Sequence, residues 1–175
     1  MEIKDNLLTI HTQYGQFMVD RVRDKKMAQG LARSPYPNEH LFTIARAFVN
    51  EQSVVIDIGA HIGTFALPLA AMAGNVIAFE PSPEAFALLA HNVAENKASI
   101  QLVNKALGSE KGSGTLVVRN AANAGANTLV EGGNIPVTTL DDEVTHANFI
   151  KIDVEGMELE VLEGGTRLIE RARPV

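Results

Sequence analysis

An alternation of apolar, β-branched runs with helical patterns constrains the fold of this chain more than any other feature. Residues 53–58, SVVIDI, form a nearly continuous apolar run, which is typical of a strand buried on both faces of a sheet. A glycine-containing turn at residues 59–63 follows, and small residues at 64–73 predict a helix. The next strand, helix and strand are predicted at residues 76–80, 82–97 and 100–103.

This β-α-β-α-β order with short connections predicts an α/β fold. Parallel strands joined by helices carry helices on both faces, so we expect a Rossmann-like, doubly wound and mostly parallel sheet. Ser82 and Pro83 indicate a helix start, because Ser caps the first turn and Pro fits its first position. A fourth buried strand is predicted at residues 149–154, followed by a helix at 157–162.

The segment between the third and fourth of these strands has a different character. Two short strands are predicted at residues 115–118 and 135–138, and residues 120–134 between them are rich in Asn, Ala and Gly. We expect that stretch to be a mobile loop. It is either a lid over a substrate or a plain surface excursion, and its composition does not decide between the two.

The N-terminal part of the chain precedes the alternating region. We predict a hairpin around Tyr14 and Gly15 and then a linker, which together occupy residues 1–37. The second predicted domain covers residues 38–175. It begins with a helix that Asn38 would cap and that would end near Asn50.

The charge balance argues against several kinds of partner. With 15 Lys and Arg against 21 Asp and Glu, the chain has a formal net charge of −6, whereas nucleic acids and anionic membranes are bound by basic surfaces. No apolar stretch approaches the roughly 20 residues of a membrane helix, and the N-terminus carries no secretory pattern. Cysteine is absent, which excludes thiolate chemistry. We therefore expect a cytoplasmic protein with no nucleic-acid or membrane partner.

The candidate site follows from the predicted sheet, because ligands of open α/β sheets bind at the carboxyl ends of the strands. Gly59 and Gly63 bracket the turn after the first strand, where a backbone without side chains lets a ligand approach closely. Glu80 ends the next strand, and a carboxylate there can accept two hydrogen bonds from a ribose diol. These residues predict a nucleoside-bearing cofactor.

Two cofactors compete for this turn. A dinucleotide fingerprint would require glycine at positions 61 and 64, where this chain has His61 and Thr64. S-adenosylmethionine carries a ribose, an adenine, an ammonium and a carboxylate but no phosphate, so an acidic residue such as Asp57 beside the turn suits it better. We expect S-adenosylmethionine, with a nicotinamide-dependent oxidoreductase as the less favoured alternative.

Five motifs in a fixed order carry a resemblance to a known family. They are VVIDIGAHIGTFALPLA, VIAFEPSP, LVNKALG, VTTLDD and FIKIDVEGMELEVLEGG. Over residues 38–175 this series resembles the FkbM family of S-adenosylmethionine-dependent methyltransferases, which is similar to the class I methyltransferases. The resemblance implies O-methylation of a hydroxyl group on a small molecule or sugar.

The same resemblance implies roles for individual residues in binding the cofactor. Glu80, with Pro81 beside it, would bind the ribose, and Asn104 would lie near the adenine. Glu39 is expected to reach the amino group of the cofactor. The turn that would hold the methionine part comprises Asp57, Gly59, Ala60, His61 and Gly63.

Catalytic residues are expected beside the transferred methyl group. Asp153 follows the fourth strand and is the first candidate, and it would also contact the cofactor. His61 is the second candidate, because an imidazole titrates near neutral pH and can act as a general base. Asp153 and Glu155 also offer oxygen ligands that suit a divalent cation, but we predict no metal site.

The chain ends at Val175, where the fifth strand of the family would begin. We therefore expect a sheet that lacks its C-terminal strands and leaves one edge exposed, which would favour a homo-oligomer. A non-catalytic, cofactor-binding fragment is the alternative to an active methyltransferase.

Overall fold

The computed structural model describes residues 6–33, 36–118 and 127–175. In chain order its elements are β1 (Leu7–Thr12), β2 (Gly15–Asp20), α1 (Lys25–Leu31), α2 (Glu39–Ala45), β3 (Val54–Ile58), α3 (Ala66–Leu69), β4 (Asn75–Phe79), α4 (Pro83–Glu95), β5 (Gln101–Val103), β6 (Ala106–Leu107), β7 (Gly112–Val118), β8 (Asn127–Glu131), β9 (Ile135–Thr138), α5 (Leu140–Glu143), β10 (Phe149–Ile152), α6 (Glu158–Glu163) and α7 (Thr166–Ala172).

Four parallel strands form the central sheet, in the order β10-β3-β4-β5. The apolar runs of β3 and β4 occupy the inner positions, where side chains on both faces are buried. The chain moves outward from β3 to β5 and then returns to the other side of β3 with β10. This reversal of strand order leaves a crevice at the carboxyl ends of β3 and β10, where such sheets bind ligands. The prediction of a mostly parallel α/β sheet is confirmed.

Helix α4 begins as the sequence predicts. Ser82 is its N-cap, and the Ser82 hydroxyl accepts a hydrogen bond from the Ala85 N–H at 3.3 Å. The predicted helix over residues 64–73 is wrong in length, because only Ala66–Leu69 is helical. Pro68 lies inside it and has no N–H to donate to the preceding turn.

Helix α2 also differs from its prediction. It ends at Ala45, several residues before the expected end. Asn38 lies at its start, but in a left-handed backbone conformation (φ +67°) and without a capping hydrogen bond. The Asn38 side-chain amide instead donates to the Thr64 hydroxyl at 3.2 Å, so this residue joins α2 to the turn that follows β3.

The connection between β5 and β10 folds into a second sheet, in the order β6-β9-β7-β8. The prediction of a loop over residues 120–134 is wrong for its second half, because β8 pairs antiparallel with β7 and places Leu129 opposite Leu116. The short run of β8 forms a strand because β7 supplies a partner, which composition alone does not reveal. Residues 120–126 of that prediction lie outside the described residues.

The predicted N-terminal hairpin is confirmed, with β1 and β2 paired antiparallel. Phe17 and Val19 of β2 are fully buried in a core that also contains Val55 of β3 and Leu89 of α4. Helix α1 follows the hairpin within the expected linker. The division of the chain into domains at residue 37 stays a prediction.

Asn92 of α4 joins the hairpin to the turn after β3. Its side chain is 1% exposed. The amide nitrogen donates to the carbonyls of Met18 and Ile62 at 3.1 and 2.9 Å, and the amide oxygen accepts from the Met18 N–H at 2.7 Å. One buried polar side chain therefore satisfies backbone groups of β2 and of the turn together.

The edge of the central sheet beside β10 meets the last residue of the chain. The Val175 N–H donates to the Asn148 carbonyl at 3.0 Å, and the Ile150 N–H donates to the Val175 carbonyl at 2.9 Å. The expected homo-oligomer through this edge stays a prediction. Within residues 6–33, 36–118 and 127–175, no helix is long and apolar enough to cross a membrane.

We predict that Asn92→Ala lowers the free energy of unfolding by about 2–4 kcal/mol, because it leaves buried backbone groups of Met18 and Ile62 unpaired. Glu95→Ala, at an exposed position of the same helix, is the matched control and should change it by less than about 0.5 kcal/mol. Urea denaturation followed by circular dichroism measures both. Equal effects of the two substitutions would contradict this role of Asn92.

Candidate cofactor-binding site

A cleft opens at the carboxyl ends of β3, β4 and β10. Its wall on the side of the first turn includes Gly59, Ala60 and His61, and its wall on the side of β4 includes Glu80 and Pro81. Asp153 borders it after β10. The structure therefore brings together six of the residues that the sequence predicts to bind the cofactor, although they come from three separate segments.

Gly59 is required by a neighbouring strand. Its φ is +76°, and a Cβ atom at this position would lie 2.0 Å from the carbonyl oxygen of Asp153. The N–H groups of Gly59 and Ala60 both donate to the Phe79 carbonyl, at 3.0 and 2.9 Å. Any other residue at position 59 would push the chain after β10 away, so this glycine fixes how closely the two sides of the cleft approach.

Glu80 is 7% exposed and holds the turn from the side of β4. One carboxylate oxygen accepts from the His61 N–H at 2.8 Å, and the other accepts from the Ser82 N–H at 2.9 Å. Burial raises the pKa of Glu80, while His61 and these two hydrogen bonds oppose the rise. Each oxygen keeps a second lone pair, so the carboxylate can still accept hydrogen bonds from a ligand.

His61 has a left-handed backbone (φ +53°), which is uncommon for a residue with a side chain. Its Nε2 lies 3.0 Å from the Asp24 carboxylate, just before α1, and the His61 side chain is 15% exposed. Burial lowers the pKa of His61, but the Asp24 and Glu80 charges outweigh burial and leave the pKa above its ordinary value. The imidazole is thus engaged with Asp24, and its assignment as a general base stays a prediction.

Asp57 does not line the cleft but lies beneath it, fully buried. The ammonium of Lys151 on β10 lies 3.0 Å from the Asp57 carboxylate and donates to the Gly59 carbonyl at 2.7 Å. Burial raises the pKa of Asp57, and Lys151 opposes that rise. Lys151 was not predicted, although a single Lys inside an apolar run was a usable signal. In the sheet this residue pairs in register with Asp57.

Asp153 and the turn after it border the cleft at the end of β10. The Asp153 side chain is 65% exposed, and its carboxylate lies 3.8 Å from the Lys151 ammonium. The Glu158 carboxylate folds back and accepts from the N–H groups of Val154 and Gly156, at 3.3 and 3.1 Å. Glu158 therefore shapes the turn that presents Asp153. Among the described residues no cluster of three or more His, Asp or Glu is arranged to hold a metal.

Besides Asp57, three predicted residues lie outside the cleft wall. The Asn104 amide donates to the carbonyls of Glu80 and Pro81, at 2.7 and 3.3 Å, and so ties the end of β4 to the end of β5. Gly63 (φ +92°) packs against Leu89 of α4. The Glu39 carboxylate accepts from the Tyr14 hydroxyl at 2.9 and 3.0 Å. A ligand role for these residues stays a prediction.

Apolar side chains from the second sheet complete the cleft. Ala106 and Leu107 of β6 line the cleft together with Leu116 of β7 and Leu129 of β8, which are cross-strand partners. The prediction of a loop over residues 120–134 did not include these side chains, because β8 lies inside that range. The cleft therefore combines polar residues such as His61 and Glu80 with apolar side chains from the second sheet, as small-molecule sites commonly do.

Comparison with known proteins places this geometry in a family. The family described as "Methyltransferase FkbM domain" matches residues 57–175. The hexuronic acid methyltransferase AglP of Haloferax volcanii is 32% identical over 127 residues, which are 69% of this chain and 53% of that protein. The chain thus spans about half the length of this relative.

Solved structures show the same fold at low sequence identity. The methyltransferase FkbM of Methylobacillus flagellatus KT is 23% identical with a TM-score of 0.54, and the alignment covers 71% of this chain and 32% of that one. The Pyrococcus abyssi tRNA (uracil-54, C5)-methyltransferase, solved with S-adenosyl-L-homocysteine, is 14% identical with a TM-score of 0.55 over 97% of this chain and 33% of its own. The central sheet is therefore that of the class I methyltransferases, and this chain belongs to the FkbM methyltransferase family.

Proposed function

We propose that this chain binds S-adenosylmethionine and takes part in methyl transfer to an oxygen atom of a sugar or another small molecule. The observation that carries the proposal is the position of Glu80. Its buried carboxylate ends β4, borders the cleft and touches the turn after β3. A carboxylate in this position suits the two hydroxyl groups of a ribose.

The other groups of the cleft fit the remaining parts of such a cofactor. Pro81, Ala106 and Leu107 offer apolar surface beside Glu80, which suits an adenine ring. Gly59, Ala60 and Asn38 also line the cleft, and their backbone groups and amide suit the amino-acid part. We assign the cofactor by this chemistry together with membership of the family.

S-adenosylmethionine supplies a methyl group that is already activated on a sulfonium, so the protein has to align the acceptor and exclude water. Asp153 is the best-placed acidic side chain for contact with an acceptor hydroxyl, because it borders the cleft and is 65% exposed. A carboxylate there would accept the hydroxyl proton and orient the oxygen toward the methyl group. The wall formed by Leu116 and Leu129 would shield that step from water.

A sugar is the acceptor class that we favour. A relative that is 32% identical is named for methylating a hexuronic acid, and the net charge of −6 gives this chain no general attraction for nucleic acids. Similar folds include a tRNA methyltransferase, so RNA belongs in the panel of acceptors that tests this choice.

We predict that Glu80→Gln weakens binding of S-adenosylhomocysteine by at least about tenfold, because hydrogen bonds to a charged group contribute about 1.5–3 kcal/mol each. Glu84→Gln is the control, since that carboxylate lies nearby in the first turn of α4 but is exposed. Isothermal titration calorimetry measures both affinities. Unchanged affinity of the Glu80 variant would remove the ribose assignment, and thermal stabilisation by NAD but not by S-adenosylhomocysteine would favour the oxidoreductase alternative.

We predict that Asp153→Asn lowers the rate of methyl transfer by about 10²- to 10⁴-fold, the usual range for loss of a general base, while its affinity for S-adenosylhomocysteine changes less than that of Glu80→Gln. Radiolabelled S-adenosylmethionine with a hexuronic acid, a neutral hexose and a tRNA measures transfer. We expect transfer to a sugar. Binding of the cofactor without transfer to any acceptor would favour the non-catalytic alternative.

A further inference from the structure

Asp24 is a buried acidic residue of the N-terminal segment, between β2 and α1. The residue is 3% exposed, although it lies outside the motifs that indicate the family. Its carboxylate lies 3.0 Å from Nε2 of His61, in the turn after β3. Burying a carboxylate is costly unless a partner compensates its charge, and a protonated His61 at this distance supplies that compensation.

His61 connects that contact to the cleft. Its left-handed backbone (φ +53°) points its N–H at the Glu80 carboxylate, 2.8 Å away. A residue with a Cβ atom rarely adopts this conformation without support from its surroundings. The Asp24 contact holds the imidazole on one side while the N–H holds Glu80 on the other, so a continuous chain of polar contacts runs from α1 to the carboxylate at the cleft.

We propose that Asp24 is a positioning residue, which holds protonated His61 in its left-handed conformation and thereby fixes Glu80 for the cofactor. The proposal rests on the proposed function. It further implies that affinity for the cofactor falls when His61 loses its proton, because the buried Asp24 charge then has no compensating charge beside it.

The charges that face His61 come from three sides. Asp24 and Glu80 favour the protonated imidazole, whereas Lys151 on β10 disfavours it. Lys151 is itself neutralised by Asp57 at 3.0 Å and by Asp153 at 3.8 Å, so its effect on the imidazole is reduced. The balance of these charges keeps the pKa of His61 above its ordinary value of 6.5 in spite of burial.

The sign of the pH dependence follows from this balance. A histidine whose pKa is raised on folding stabilises the folded state at pH values below its unfolded pKa, and that contribution is lost as the pH rises through the folded pKa. The same deprotonation releases the turn that positions Glu80, so we expect the affinity for the cofactor to decline between pH 6 and pH 9 as the pH rises through the raised pKa of His61.

The test is calorimetric titration of the 175-residue chain with S-adenosylhomocysteine between pH 6 and pH 9. We expect the affinity of the unaltered chain to fall by about tenfold over this range, and Asp24→Asn to bind about tenfold more weakly at pH 6 with a flattened pH profile. Asp20→Asn is the matched control. Its carboxylate accepts from the N–H groups of Val22 and Arg23 rather than contacting His61, so its profile should match that of the unaltered chain.

A second variant decides the matter even where Asp24→Asn fails to fold. His61→Asn keeps a residue that tolerates the left-handed conformation but removes the titrating group, so its affinity should not vary with pH. A profile of His61→Asn that declines like that of the unaltered chain would overturn the proposal, as would unchanged affinity of a folded Asp24→Asn. Failure of the unaltered chain to bind at any pH would instead overturn the proposed function.

Discussion

The buried ion pair between Asp57 and Lys151 is the interaction on which the candidate site depends. The two residues pair in register across β3 and β10, at the place where the strand order reverses. Lys151 also donates to the Gly59 carbonyl, so the same ammonium that neutralises Asp57 holds the first turn against β10. Loss of one partner would leave a buried charge uncompensated, which costs about 3–5 kcal/mol.

The rest of the site is assembled around that pair from segments that are distant in the sequence. The turn after β3 is held from below by Lys151, from the side by Glu80, from the N-terminal segment by Asp24 and from α4 by Asn92. The chain after β10 reaches the same turn through the close approach of Asp153 to Gly59. The left-handed conformations of Gly59 and His61 are thus fixed by several independent contacts, which is how a rarely adopted backbone persists.

The sequence predicts the central sheet well, because β3 and β4 are nearly continuous apolar runs, which are typical of strands buried on both faces. The cap at Ser82 and the positions of Gly59 and Glu80 at strand ends follow from the same local patterns. Lys151, Asp24 and Leu129 were not predicted, and among them Lys151 alone, as a single Lys inside an apolar run, left a local signal. Each acts on a part of the molecule that is distant in the sequence: Lys151 contacts Asp57, Asp24 contacts His61, and Leu129 lines the cleft. No local pattern records which distant residues will meet. The role of Glu39 stays a prediction, and its contact with the Tyr14 hydroxyl is another long-range pairing that no local pattern records.

The second sheet leaves the central sheet after β5 and rejoins it before β10, and it touches the cleft through Leu116 and Leu129. Its strands pair with one another and not with the four strands of the central sheet. Insertions and substitutions in the second sheet therefore need not disturb the Asp57–Lys151 ion pair or the turn after β3. The floor that the ion pair holds and the wall that Leu116 and Leu129 form are separate parts of the fold, so a change in the β7–β8 hairpin would alter the cleft and leave its floor in place.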